Sequence, residues 1–356
     1  MPVDIICGMS FGSEGKGRLI EQIASNYDIL VRTGAPNAGH KVWNINSSGD
    51  KRQYAHQIIP CGIWANPEAV AVLGAGAMLD LEQLTKELNW IKYEGLPFSP
   101  EKQLYIDENA VIIDQIHVDE EQPMHERMGS TAHGCGAALI SKIRRDGSIR
   151  QVKNVPELKP FVTDTIKFLN DSLDNGQRVM IEGTQGSMLS LHTTPYYPFC
   201  TSRDTNASNW LAEAGLAPGW VDTIWGVLRP YPIRVHGNSG PTGAAELTWE
   251  EVRDRSGNNA VVPEITTVTK KTRRIFEFSP TDFNRAMSIN RPSKLCLNFA
   301  DYIDVKNFGL SYHNDGHQLE DLSPRTHEWM MEHLGANVDL IECVGTGPDF
   351  EHVLFS

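Results

Sequence analysis

No uninterrupted run of about 18 apolar residues occurs in this 356-residue chain, so no membrane-spanning helix and no membrane partner are expected. The opening residues also lack a basic start followed by a long apolar stretch, so no secretory leader is expected. Cysteines are few and scattered. Cys7, Cys61, Cys135, Cys200, Cys296 and Cys343 never fall within three residues of one another, which excludes CxxC zinc sites and dithiol redox motifs. Thiols in such apolar surroundings suit reduced, buried side chains and a cytoplasmic setting. Positive charge is in deficit: 32 Lys and Arg stand against 45 Asp and Glu, a formal net charge of −13. That balance argues against a protein that coats nucleic acid, which needs a basic face to displace phosphate counterions. It leaves room for a local cationic pocket that takes a small phosphorylated ligand.

The chain has a hydrophobic fraction of 40% and a charged fraction of 22%, in the globular range, and its length permits a large core. Short apolar runs predict buried strands at Val3–Cys7, Ile29–Arg32, Ala69–Leu73, Arg178–Ile181, Thr223–Leu228, Lys294–Leu297 and Leu340–Val344. Helical spacing predicts helices at Arg18–Asn26, Leu81–Trp90, Val162–Leu173 and Arg325–Leu334. Strands alternating with helices imply an α/β fold: a mainly parallel central sheet with helices on both faces. No repeat or linker divides the chain, and its 30 Gly and 20 Pro are spread along it, so a single large domain over residues 1–356 is expected. Ligands of such sheets bind beyond the carboxyl ends of the strands, in the loops that follow them.

The first such loop, Gly8 to Arg18, carries Gly8, Gly12, Gly15 and Gly17 with Lys16. Glycines let the backbone approach a phosphate, the N–H groups and the next helix terminus form an anion cradle, and lysine adds a point charge. The spacing departs from GxxxxGK[ST], because Gly17 stands in the Ser/Thr slot. A tight turn needing glycine for packing is the bland alternative. After the second strand comes Gly34 to Lys41, in which His40 is a candidate general acid or a solvent-exposed loop histidine. Gly129 to Gly136 is a small hydroxyl-bearing loop, suited to a phosphate or merely flexible, and Lys142, Arg144 and Arg145 follow it. Glu182 to Gly186 follows the apolar strand at Val179 to Ile181, and Gln185 either hydrogen-bonds a base there or belongs to a glycine-framed turn. Four cations, Lys270, Lys271, Arg273 and Arg274, sit among threonines at 266–274. They suit capture of a small carboxylate or phosphate, or a solvated surface.

Read together and in order, these loops resemble the adenylosuccinate synthetase family over nearly the whole chain. The family's GDEGKGK appears as Gly12-Ser13-Glu14-Gly15-Lys16-Gly17-Arg18, and its NAGH is intact at Asn37 to His40. IPSGI appears as Ile59 to Ile63 with Cys61 at the serine, EGAQG matches Glu182 to Gly186, TYPYVTSS matches Tyr196 to Ser202, and TGPD is intact at Thr346 to Asp349. The resemblance implies a ligase that phosphorylates a purine 6-oxygen and then lets aspartate displace that phosphate. It implies Ser13, Lys16, His40 and Gln185 as catalytic residues. For the nucleoside triphosphate it implies Gly12, Ser13, Glu14, Gly15, Lys16, Gly17, Gly39, His40, Lys41, Phe299, Asp301, Thr346, Gly347 and Pro348. The purine monophosphate falls to Ser13, Asn37, Ala38, Ser130, Thr131, Arg145, Gln185, Thr201 and Val235, and aspartate to Thr269, Lys271 and Arg273. Mg²⁺ is implied near Ser13 and the Gly39 carbonyl, as is a homodimer in which Arg145 reaches across the interface.

Three departures set this chain apart. Ser13 replaces the aspartate that, in the biosynthetic enzymes, takes the N1 proton and binds Mg²⁺. That replacement resembles a phage branch of 2-aminoadenylosuccinate synthetases, which use dGMP in place of IMP. Phe299, in Asn298-Phe299-Ala300-Asp301, replaces the lysine of the family's TKLD element, which opens the phosphoryl donor to ATP or dATP as well as GTP. Lys271 stands at an arginine position of the aspartate loop. Three readings follow: a ligase of dGMP, L-aspartate and ATP or dATP; an IMP- and GTP-using adenylosuccinate synthetase; and a catalytically silent nucleotide-binding protein.

Overall fold

The structure, a computed structural model, describes residues 2–45, 51–129, 132–265 and 271–356. Ten strands form one sheet. In spatial order they are Val353–Phe355, Ile341–Gly345, Lys294–Leu297, Val221–Leu228, Val3–Gly8, Val179–Glu182, Ile29–Arg32, Val70–Leu73, Leu104–Asp107 and Val162–Thr163. Every neighbouring pair is parallel except the edge pair Ile341–Gly345 with Val353–Phe355. The apolar runs become strands because both faces are covered: all six residues of Val3–Gly8 and all four of Ile29–Arg32 and Val179–Glu182 are buried. Successive side chains feed opposite faces. Ile6 and Leu30 join one core with Leu19, Ile20 and Trp225, whereas Ile5, Cys7, Ile29 and Val31 join another with Trp210.

The strands at Ile29–Arg32 and Lys294–Leu297 have their predicted limits, and the other predicted strands shift by one or two residues. The helix predicted from Val162 begins at Thr165 instead. Asp164 caps it by accepting the Lys167 N–H, and Val162–Thr163 pairs with Leu104–Asp107 as the edge strand. Likewise the first helix runs Lys16–Ile23 and closes in a 3₁₀ turn at Ala24–Asn26. Outside the sheet, His40–Ile45 and Lys51–His56 form an antiparallel hairpin with His40 opposite His56. Ile233–Arg234, Glu246–Leu247 and Arg274–Phe276 form a small three-stranded sheet.

Val179–Glu182 lies between Val3–Gly8 and Ile29–Arg32, so the loops after these three parallel strands leave from the same edge. No helix among the described residues is long and apolar enough to cross a membrane. Leu30, wholly buried in the larger core, measures what this packing contributes. Leu30→Ala is expected to cost about 2–5 kcal/mol, read as a lower urea midpoint at unchanged slope. A midpoint shift below about 1 kcal/mol would show that the sheet centre is not tightly packed there.

Candidate active site

The loop after the first strand is wound around its own carboxylate. Glu14 is fully buried, and its Oε1 accepts from the Ser10 N–H (3.1 Å), the Ser10 hydroxyl (3.0 Å) and the Gly12 N–H (2.8 Å). Its Oε2 pairs with Lys16 Nζ at 2.8 Å. Burial alone would raise the Glu14 pKa, but the Lys16 charge and these donors outweigh it and hold the carboxyl below its usual range. Lys16 Nζ also donates to the Gln185 carbonyl at 2.5 Å, tying the loop to the turn after Val179–Glu182. Gly12, Ser13, Gly15 and Gln185 all hold left-handed backbone (φ 92°, 59°, 87° and 61°). Gly17 faces the Lys41 backbone so closely that an added Cβ would collide with it, which explains glycine where phosphate loops carry Ser or Thr. The Glu14 carboxylate is thus spent inside the loop, which leaves its backbone as the part that can join the expected cradle of N–H groups.

His40, expected in an open loop, is 7% exposed and starts the hairpin. Its Nδ1 lies 2.6 Å from Glu182 Oε1, an oxygen that also takes the Arg32 guanidinium. Arg32 Nη2 donates to the Ala38 carbonyl at 2.6 Å, and Glu182 Oε2 accepts the Cys61 N–H at 2.8 Å. Burial lowers the His40 pKa to about 4 against the upward pull of Glu182. Burial raises that of Glu182, but Arg32 and His40 bring it down to about 2. His40, Cys61 and Glu182 offer three possible metal-ligand atoms within 4.8 Å of one another. Arg32 already supplies the cation there, and burial pushes the Cys61 thiol pKa well up, so the cluster closes without a metal ion.

At the other end of the loop, Asn298 Nδ2 donates to the Glu14 and Gly15 carbonyls at 2.8 and 3.2 Å. Phe299 (φ 64°) has the Arg229 guanidinium 4.1 Å from its ring centre, and the Tyr302 ring lies 5.2 Å away. That ring is therefore partly covered by the protein. Arg229 donates to the Ser13 carbonyl at 3.0 Å and clasps Glu264 with both terminal nitrogens (3.3 and 2.6 Å). Asp301 is 4% exposed, and burial raises its pKa to about 7 against the opposing charge of Arg18. Its Oδ2 accepts from Asn258 at 3.1 Å, while Oδ1 has no partner among the described residues. Thr346, implied for the triphosphate, is fully buried and gives its hydroxyl to the Leu310 carbonyl at 2.5 Å. Gly347 packs on the His352 ring, and the Pro348 carbonyl accepts the Trp43 indole N–H at 3.2 Å.

Asn37 and Ala38 are half-buried, Gly39 and Lys41 are exposed, and Thr201 and Val235 are half-buried. The Thr201 N–H bonds the Leu189 carbonyl, and the Val235 carbonyl accepts the Ser239 hydroxyl. Arg145 is exposed, in left-handed backbone (φ 56°) after the helix Cys135–Arg144. That helix begins on Glu121, which accepts the Gly134, Gly136 and Ala137 N–H groups. Lys271 is exposed. Arg273 is half-buried; burial lowers its pKa against the pull of Glu264, whose carbonyl accepts its N–H at 2.8 Å. Ser130, Thr131 and Thr269 lie outside the described residues.

The first loop is thus bonded directly to Gln185 and to Asn298, and the His40 turn to Glu182, three residues before Gln185, whereas no such bond includes Arg145 among the described residues. Glu182, Arg32, Arg229 and Glu264 went unassigned in the sequence. One signal was available: Arg32 and Glu182 are the sole charged residues in strands otherwise made of buried apolar side chains.

A family model described as adenylosuccinate synthetase matches residues 5–154 and 148–338. The chain is 32% identical over 356 residues to the adenylosuccinate synthetase of Methanocaldococcus jannaschii, covering 98% of this chain and 95% of that protein. It is 34% identical over 342 residues to the N6-succino-2-amino-2'-deoxyadenylate synthase of Acinetobacter phage SH-Ab 15497, covering 84% of each. A solved structure, cyanophage S-2L succinoaminodeoxyadenylate synthetase bound to dGMP and dATP as an energy donor, matches with a TM-score of 0.78 at 30% identity. The match covers 99% of this chain and 95% of that one.

The low His40 pKa sets a pH dependence. Between the ordinary value of 6.5 and about 4 the unfolded chain binds a proton that the folded one does not. Stability tied to His40 is therefore full above pH 6.5 and declines as pH falls through that window. Glu182, also held low, adds a loss between pH 4.5 and about 2. The urea midpoint of the wild type is expected to drop from pH 6.5 to 4, and that of His40→Gln to drop less. Equal slopes would show that the imidazole is not held neutral.

Proposed function

The chain belongs to the adenylosuccinate synthetase family, C–N bond-forming ligases of purine nucleotide metabolism, and from that premise we propose that it condenses L-aspartate with dGMP at the expense of ATP or dATP. The products are N6-succinyl-2-amino-dAMP, the nucleoside diphosphate and phosphate, the first serving 2,6-diaminopurine DNA synthesis. Overall identity does not choose between branches, since 32% to an archaeal synthetase and 34% to a phage enzyme are equivalent. Ser13 carries the choice. It occupies the position of the family's aspartate, half-buried on a left-handed turn, and gives a smaller, neutral neighbour to the edge of a purine that bears a 2-amino group. The dGMP and dATP of the cyanophage structure support the same substrates.

In the proposed reaction the purine passes its N1 proton to a phosphate oxygen or through a relay at Ser13, and O6 attacks the γ-phosphorus and expels the nucleoside diphosphate. The aspartate amine then adds at C6 and phosphate departs. Lys16 and the loop N–H groups neutralise the transferring phosphoryl. His40 meets the 6-oxygen, and Gln185 orients the base. Ser130, Thr131 and Thr201 hold the 5′-phosphate with the help of Arg145; Asn37, Ala38 and Val235 line the same nucleotide; and Thr269, Lys271 and Arg273 hold the aspartate carboxylates. Ser13 and the exposed Gly39 offer oxygen donors of the hard type that Mg²⁺ prefers, and the ion would neutralise phosphate charge there. Asp301 near pH 7 can accept from an adenine amino group and donate to its ring nitrogen, which suits ATP or dATP. Ile140 and Ile143, 53% and 63% exposed on the helix that precedes Arg145, support a homodimer with Arg145 reaching into the partner's site.

The test offers the protein aspartate and Mg²⁺ with either dGMP and ATP or IMP and GTP, and resolves products by mass. Succinylated product from dGMP alone is expected. Product from IMP alone favours the biosynthetic reaction, and binding without turnover the silent protein. Ser13→Asp is expected to lower the preference for dGMP over IMP, measured as the ratio of kcat/KM values. An unchanged ratio would remove Ser13 as the selector.

A further inference from the structure

We infer that Glu182, assisted by Arg32, is the positioning residue for His40: it grips the imidazole by Nδ1 and leaves Nε2 as the one ring nitrogen available to substrate. The inference rests on the proposed reading of His40 as the group that meets the purine 6-oxygen. It adds how that group is aimed.

Glu182 and Arg32 face one another as register partners on adjacent parallel strands, each the last residue of its strand at the carboxyl edge. Both are almost wholly buried, at 1% and 2% exposure. A buried carboxylate needs its charge countered, and Arg32 does that; the Cys61 N–H supplies a further donor at 2.8 Å. The third contact is to His40 Nδ1 at 2.6 Å; Arg32 Nη1 also lies 3.2 Å from that nitrogen but can only donate, and the much shorter carboxylate contact makes Nδ1 the donor. A ring nitrogen that donates to a carboxylate carries the proton, so the opposite nitrogen is fixed as the exposed lone pair or, after protonation, as the outward donor. Ring rotation about χ2 would break this bond. Arg32 extends the grip to the backbone, because its second terminal nitrogen holds the Ala38 carbonyl, two residues before His40. An amide at 182 would offer one acceptor oxygen to three donors, so glutamine cannot reproduce the arrangement.

A double-mutant cycle on the full chain tests this, using turnover of aspartate and ATP with dGMP for the wild type, Glu182→Gln, His40→Ala and the double variant. Glu182→Gln is expected to lower kcat at least about tenfold while KM for dGMP stays within about threefold. His40→Ala is expected to lower turnover about 10²–10⁴-fold. Adding Glu182→Gln to His40→Ala should then cost less than about twofold more. Losses that multiply would show that Glu182 acts without His40 and overturn the inference. Nitrogen-15 NMR of the imidazole gives a readout independent of activity: the wild type should carry the His40 proton on Nδ1, and Glu182→Gln should lose that signature. A proton on Nε2 in the wild type overturns the inference. Should Glu182→Gln not fold, Arg32→Met/Glu182→Gln removes both buried charges together and takes its place in the cycle. If the wild type uses IMP instead of dGMP, the substrate reading fails and the cycle is run with IMP. If it uses neither, the ligase reading fails and the NMR result still decides the positioning.

Discussion

A charge placed at the end of a strand buried on both faces has no water to turn to, so it must find its counterpart in the protein. Three such pairings organise the carboxyl edge of this sheet. Glu14 takes Lys16 inside the first loop, Glu182 takes Arg32 across two strands, and Arg229 takes Glu264 beyond the fourth. Each pair also holds backbone. Glu14 gathers the Ser10 and Gly12 N–H groups, Arg32 holds the Ala38 carbonyl, and Arg229 holds the Ser13 carbonyl. Electrostatic necessity in the interior thus becomes geometry at the surface, where loops that would otherwise wander are fixed relative to one another.

Much of the scaffold was legible in the chain because its signals are local. Apolar runs of four to six residues marked the central strands, and two were found with their predicted limits. Glycine density marked the first loop. What escaped depended on distant partners. The hairpin at His40–His56 carries no alternating pattern that distinguishes it from a loop, and the start of the helix at Thr165 was decided by the Asp164 cap and an edge-strand pairing. Glu182 looked like one more member of a turn, since its bond to His40 spans 142 positions in sequence. Thr346 belongs to a family motif, yet its hydroxyl turned out to be spent on the Leu310 carbonyl.

The residues that differ from the family pattern have clear local settings. Ser13 stands on a left-handed turn held by Arg229 through its carbonyl, so its backbone is fixed whichever side chain it bears. Phe299 sits between Arg229 and Tyr302, and its ring serves the packing of that arginine as well as any ligand. Both positions meet the same guanidinium, Ser13 through its carbonyl and Phe299 through its ring, which links the first loop with the turn after Lys294–Leu297.

Asn298 gives that linkage a mechanical side. By donating to the Glu14 and Gly15 carbonyls it staples the turn carrying Phe299 and Asp301 to the loop carrying Lys16. Under the proposed reading, the tasks of naming the donor's base and gripping its phosphates would therefore be tied together through one amide. In that reading a change of donor read at 299 would reach the phosphate loop as well, unless the amide beside it kept its grip.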